Sequence, residues 1–285
     1  MTYILENNHL KISAKSQGAE LTSIINKKTG KEMLWGGNPD FWGRHAPILF
    51  PFVGKLNDNN YTYQGTKYPM SQHGFARDMN FEIEEQSDNK LVFKLQSNAE
   101  TLEKYPFSFE LKLGYELKAE TIIHTYEVKN TGTDTMLYSI GGHPAYSIEG
   151  DFDTHELSFE KEESELKRTH LHEGLLDEKK PFELKNHKVL PLNYPLFAED
   201  ALVFESLNSN EISLTNNGSK LLTMNFEDFP FFGIWTKPGA PFLCLEPWLG
   251  IADVKDFDGD LSEKKGIMKL EAGQMDHFKY EVSFY

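Results

Sequence analysis

Apolar and polar side chains alternate with a period of two along most of the chain. Phe107, Phe109, Leu111, Leu113, Tyr115 and Leu117 alternate with Ser108, Glu110, Lys112, Gly114 and Glu116. Successive side chains leave a pleated backbone on opposite sides, so this pattern predicts a strand with one buried and one wet face. It resumes at Ile122, His124, Tyr126 and Val128 after a Lys118-Ala119-Glu120 turn, and again over Met136–Ile140 beyond Asn130-Thr131-Gly132. Phe81 and Ile83, set against Leu91, Phe93 and Leu95 across Ser87-Asp88-Asn89, predict a hairpin. Residues 1–13 read as strand, and further strand signals fall at 200–205, 211–214, 220–226, 231–235, 241–246 and 277–284. One short helix is expected over Ala99–Tyr105, capped by Ser97 or Asn98 and stopped by Pro106. Strands do not alternate with helices, which argues against a parallel α/β fold. No Pro-, Gly- or Ser-rich linker and no internal repeat divides the sequence. The expectation is an all-β chain: one domain over residues 1–285, a large antiparallel sandwich with few short helices. The charge-dense stretch from Glu160 to Lys188 reads as a solvated excursion.

Composition narrows the function. With 29 Lys and Arg against 44 Asp and Glu, the formal charge is −15. A surface this acidic disfavours nucleic acid and anionic membranes as partners. Cys244 is the only cysteine, so no intrachain disulfide can form, which suits a reducing compartment. The N-terminal residues lack a basic region followed by an apolar run, and no apolar run approaches the ~20 residues of a membrane helix. A soluble cytoplasmic protein is expected.

Two strings stand out, Gly141-Gly142-His143-Pro144 and Cys244-Leu245-Glu246-Pro247-Trp248. Each sets a titratable side chain before a proline, whose ring drives the preceding residue into extended geometry. An imidazole and a carboxylate held on such backbone can exchange protons with one substrate. Glu246 shares a strand face with Phe242 and Cys244, and an inward carboxylate is costly unless paired or used. For His143 the competing reading is a hydrogen-bonded core histidine. Ser71-Gln72-His73-Gly74-Phe75-Ala76-Arg77 adds a second histidine and a cation. The chain has only three arginines, Arg44, Arg77 and Arg168. Where lysine is the default cation, Arg44 and Arg77 are candidates for bidentate binding, against the alternative of surface salt bridges. Trp248, Trp235, Phe75 and Phe52 are candidate walls for a sugar ring, with core packing the plainer role. Asp256–Asp260 with Glu263 departs from calcium-loop spacing and reads as an acidic turn. His170 and His172 lack a third ligand at zinc spacing. No glycine-rich nucleotide fingerprint occurs.

Taken together these strings resemble the aldose 1-epimerase (galactose mutarotase-like) family, with the likeness closest to its LacX-like subgroup. The resemblance runs from Gly18-Ala19-Glu20-Leu21 through Arg44–Gly54, Gln72–Arg77, Gly141–Tyr146, Asp200–Phe204 and Thr236–Asp253 to Leu270-Glu271-Ala272-Gly273. It implies a β-supersandwich and metal-free interconversion of the α and β anomers of an aldose, with no cofactor. It also implies roles: Glu246 as the base at the C1 hydroxyl, His143 as the acid at the ring oxygen, His73 as a second histidine near that oxygen, and Arg44 and Asp200 as hydroxyl ligands. One departure stands out. Galactose mutarotases carry Asn-His at the second histidine, whereas His143 follows Gly142. The His-Gly-Phe-Ala-Arg string instead resembles the hexose-6-phosphate branch, where arginines bind phosphate, a role open here to Arg44 and Arg77. Three readings therefore stand: an epimerase of a sugar or sugar phosphate, a non-catalytic sugar-binding protein, and a metal-dependent hydrolase or lyase on His73, His143 and Glu246. A monomer and a homodimer are equally compatible with the sequence.

Overall fold

A computed structural model describes residues 1–285. Two large sheets dominate it. The first has nine strands, in spatial order Val189–Pro191, His155–Phe159, Glu211–Asn216, Ser219–Asn225, Met275–Phe284, Thr121–Asn130, Phe109–Lys118, Lys90–Gln96 and Glu82–Gln86. The second runs Leu175–Pro181, Lys167–His172, Leu202–Glu205, Phe231–Trp235, Phe242–Leu249, Ile140–Gly142 and Ile48–Leu49, and Ala145–Ser147 also pairs with Phe242–Leu249. Neighbouring strands are antiparallel. The only α-helix is Ala99–Lys104; of the two expected caps Asn98 is used, accepting from Thr101 N while the Thr101 side chain answers the Asn98 N–H. The all-β antiparallel sandwich expected from the sequence is the fold observed.

The longest ladder shows how the pattern becomes structure. Phe109 faces Asn130 and Lys118 faces Thr121, so the register runs unbroken through the pair. Ala119 turns the chain with φ of 51°. Leu111, Leu113 and Leu117 meet Ile122, Tyr126 and Val128 in a core of 62 buried residues shared by the sheets. No helix is long and apolar enough to cross a membrane.

One expectation is corrected. The stretch from Glu160 to Lys188 is not a solvated excursion; it supplies the hairpin that ends the second sheet, Lys167–His172 with Leu175–Pro181 as the edge strand. Most of its charges are exposed, while Leu166, Arg168, Thr169 and Leu176 are buried. Glu163 is buried too, because its carboxylate accepts from the backbone N–H groups of Asn208 and Ser209 at 3.0 and 2.8 Å.

Candidate active site

Strand Phe242–Leu249 is buried at every position. Alternation places Phe242, Cys244, Glu246 and Trp248 on one of its faces. The neighbouring chain approaches it twice: Gly141 pairs with Trp248, and Ala145 pairs with Cys244. His143, midway between Gly141 and Ala145, is therefore brought level with Glu246, midway between Trp248 and Cys244. Its Nε2 lies 3.3 Å from Glu246 Oε2. The preceding glycines permit the approach. A Cβ on Gly141 would stand 2.6 Å from Trp248 Cδ1, and one on Gly142 would stand 2.8 Å from the Tyr126 hydroxyl.

These two side chains open into a cavity of about 330 Å³. It also gathers His73, Arg77 and Asp200 of the sequence candidates, with Trp235 and Trp248 as apolar walls. Phe52 and Phe75 are core residues. Arg44 is not among the lining residues: its guanidinium donates to Asp78 Oδ1 at 2.9 Å. Arg77 lines the cavity, donates to the Gln72 carbonyl at 2.7 Å, and keeps a buried Nε that makes no hydrogen bond but lies 3.8 Å from Asp78 Oδ2.

His73 sits on a tight turn with φ of 67°, locked to Gly54 in both directions. Its N–H donates to the Gly54 carbonyl at 2.9 Å, and its Nδ1 accepts from the Gly54 N–H at 3.1 Å. An accepting Nδ1 leaves the proton of the neutral ring on Nε2. His73 thus offers a donor beside His143, whose ring it meets edge-on at 5.6 Å. Asp200 occupies a strained turn with φ of 124° and accepts from the Ala201 N–H at 2.7 Å. The buried Arg168 steadies this turn, donating to the carbonyls of Asp200 and Ala201 at 3.3 Å each.

Three contributors were not legible in the sequence. Trp42 stacks on the His143 imidazole with centroids 4.8 Å apart. Leu171 and Leu176, from the hairpin that ends the second sheet, also line the cavity. The weaker candidates lie elsewhere: His170 Nδ1 is 3.3 Å from Glu199, His172 is exposed, and Asp260 caps the turn at Ser262.

Burial governs the protonation of the pair. It drives the Glu246 carboxyl well above its usual range, reinforced by the Asp200 charge; the nearby Trp248 indole pulls the other way. Burial likewise lowers His143 to about 3, offset in part by its own backbone carbonyl and reinforced by Arg77 and Arg44. His73 is held well below the usual histidine value, first by burial and then by His143, Arg77 and Arg44. Both members of the pair thus favour their neutral forms, Glu246 carrying the proton. Cys244 brings its sulfur within 4.8 Å of donor atoms of His143 and Glu246, a grouping able to hold a metal ion. Its thiol is fully buried, and burial and Glu246 keep it protonated.

The model of the family described as aldose 1-epimerase matches residues 1–266. Protein LacX (plasmid) of Lactococcus lactis subsp. lactis is 36% identical over 285 residues, covering 95% of each chain. The solved galactose mutarotase related enzyme of Lactobacillus acidophilus superposes with a TM-score of 0.94 at 34% identity, covering 100% of this chain and 97% of that one. A galactose mutarotase-like protein of Lactobacillus casei gives 0.94 at 32% identity with 100% of both chains covered. The fold and the extent of these matches define a mutarotase-like β-sandwich protein. The chain belongs to the aldose 1-epimerase family.

Proposed function

We propose that the protein interconverts the α and β anomers of a hexose by acid–base ring opening, with His143 and Glu246 as the proton-transfer pair. The observation that carries this reading is the 3.3 Å approach of His143 Nε2 to Glu246 Oε2 inside a cavity of about 330 Å³. In the productive tautomer the shared proton sits on the imidazole. Glu246 takes the proton of the C1 hydroxyl while His143 delivers one to the ring oxygen, and the C1–O5 bond breaks. The open aldehyde rotates about C1–C2. Reclosure on its other face returns one proton from Glu246 to O1 and one from the C5 hydroxyl to His143, restoring the starting tautomer. His73 donates from Nε2 towards the ring oxygen, Asp200 accepts from a hydroxyl, and the tryptophans pack against the ring.

A second reading concerns the substrate's charge. The Arg77 guanidinium in the cavity lining favours a sugar bearing a phosphate, and Arg44 adds positive potential that reaches His73 and His143, although Asp78 pairs with both arginines. Polarimetry of freshly dissolved α-anomers tests both. The wild type is expected to speed equilibration, and Glu246→Gln to lower kcat by roughly 10²–10⁴-fold with an unchanged circular dichroism spectrum. A Glu246→Gln variant at full rate removes the base assignment. Saturable sugar binding without faster exchange would make the protein a binding module. A higher kcat/KM for a hexose phosphate than for the free hexose would assign Arg77 to the phosphate.

A further inference from the structure

A histidine that moves protons is ordinarily held by a hydrogen bond at the nitrogen facing away from the reaction. His143 lacks a firm one: nothing stands in hydrogen-bond geometry to its buried Nδ1, and only its own backbone carbonyl lies close enough to favour a proton there. Its orientation has to come from packing. His73 and Trp235 meet the imidazole only edge-on, with centroids 5.6 and 5.8 Å away. Trp42 alone covers its face, 27° from parallel at 4.8 Å.

Trp42 belongs to a strap without regular secondary structure between Glu32 and Ile48. Nothing in its local sequence fixes it, yet it is tied down at several points. The Trp35 indole donates to the Trp42 carbonyl at 2.8 Å. Lys237 Nζ donates to the carbonyls of Asp40 and Phe41 at 3.2 Å each. Beyond Trp42 the buried Glu20 carboxylate accepts from the N–H groups of His45 and Ala46 at 2.8 and 3.0 Å. A loop held this firmly presents a fixed indole plane.

We infer that Trp42 is the positioning residue of the reaction: the strap holds its indole against His143 and thereby fixes the imidazole towards Glu246. The inference rests on the acid–base reading above. It also explains an irregular loop so heavily tethered next to the cavity. Because Trp42 lines the cavity as well, a role as a sugar platform is the competing explanation. The two differ in kinetics, since a platform acts on KM and an orienting residue on kcat.

Steady-state kinetics of Trp42→Ala, Trp42→Phe and Lys237→Met, with a crystal structure of Trp42→Ala, test this. Trp42→Ala is expected to lower kcat roughly 10²-fold while KM moves less than about threefold. Trp42→Phe keeps an aromatic face and is expected to recover most of that loss. Lys237→Met, at an exposed position that leaves the core intact, loosens the strap and lowers kcat by a smaller factor. In the Trp42→Ala crystal the imidazole is expected to turn away from Glu246. A rise in KM at wild-type kcat overturns the positioning role, and so does an unmoved imidazole. A wild type that exchanges no anomers defeats the proposed function instead, and the imidazole's response in the crystal still decides the inference.

Discussion

In the proposed reaction His143 and Glu246 work with one proton between them, and that count sets the pH dependence. Adding a second proton requires charging His143, which burial holds at about 3 against an ordinary 6.5. Removing the shared proton requires ionising Glu246, which burial lifts well above the ordinary 4.5. Activity is therefore expected to fall on the acid side only as pH drops well below 6.5 towards about 3, and on the alkaline side only well above 4.5, giving a broad bell. Its limbs belong to the pair, read from kcat/KM by anomer-exchange NMR. An acid limb at 6.5 would mean a hydrated, freely titrating imidazole. Both residues were legible because a proline follows each and extended backbone follows from that. For Arg44 the sequence left a ligand and a salt bridge both open, because its partner, Asp78, is far away in sequence and reached only through the fold. Trp42 was invisible because a lone aromatic in a loop has neither period nor motif.

At the scale of elements, legibility followed exposure. Strands with one wet face, such as Phe109–Lys118 and Thr121–Asn130, announce themselves by alternation. Phe242–Leu249 is buried on both faces, so its end could not be read from period and it runs past the expected Glu246 to Leu249. The hairpin of Lys167–His172 and Leu175–Pro181 failed in the opposite way. Its outer face is so rich in Lys, Asp and Glu that two inward leucines could not establish a pattern. Those leucines matter, because Leu171 and Leu176 form the cavity wall. Leu171 is only half-buried, so its replacement spares the fold. Leu171→Ser removes apolar contact worth about 1–2 kcal/mol that substrate and transition state share equally. KM is expected to rise about tenfold with kcat within about twofold. A matching fall in kcat would place this wall in the chemistry and not in binding.

For the whole molecule, the site is carried by one sheet and braced by the other. The Tyr126 and Tyr280 hydroxyls of the nine-stranded sheet lie where side chains on Gly142 would be, just before His143. Behind them His124 stacks on Tyr280 with centroids 4.1 Å apart, its Nε2 buried and partner-free. The antiparallel sandwich was readable from period and composition, but this brace was not, because it joins residues of separate strands across the core. It makes the fold acid-sensitive. Burial alone lowers His124 from 6.5 to about 3, so the folded chain binds that proton less tightly than the unfolded one. The stabilisation from a neutral His124 is therefore complete above about 6.5 and is lost progressively as pH falls towards 3. At pH 4.5 the loss amounts to roughly 3 kcal/mol. His124→Phe keeps the stack on Tyr280 and cannot be charged. Urea unfolding of both proteins separates this term from the titration of the many carboxylates, which the two chains share. The variant is expected to gain roughly 3 kcal/mol on the wild type between pH 7.5 and 4.5. A stability difference that stays constant over that range would show that His124 takes up its proton without opening the core.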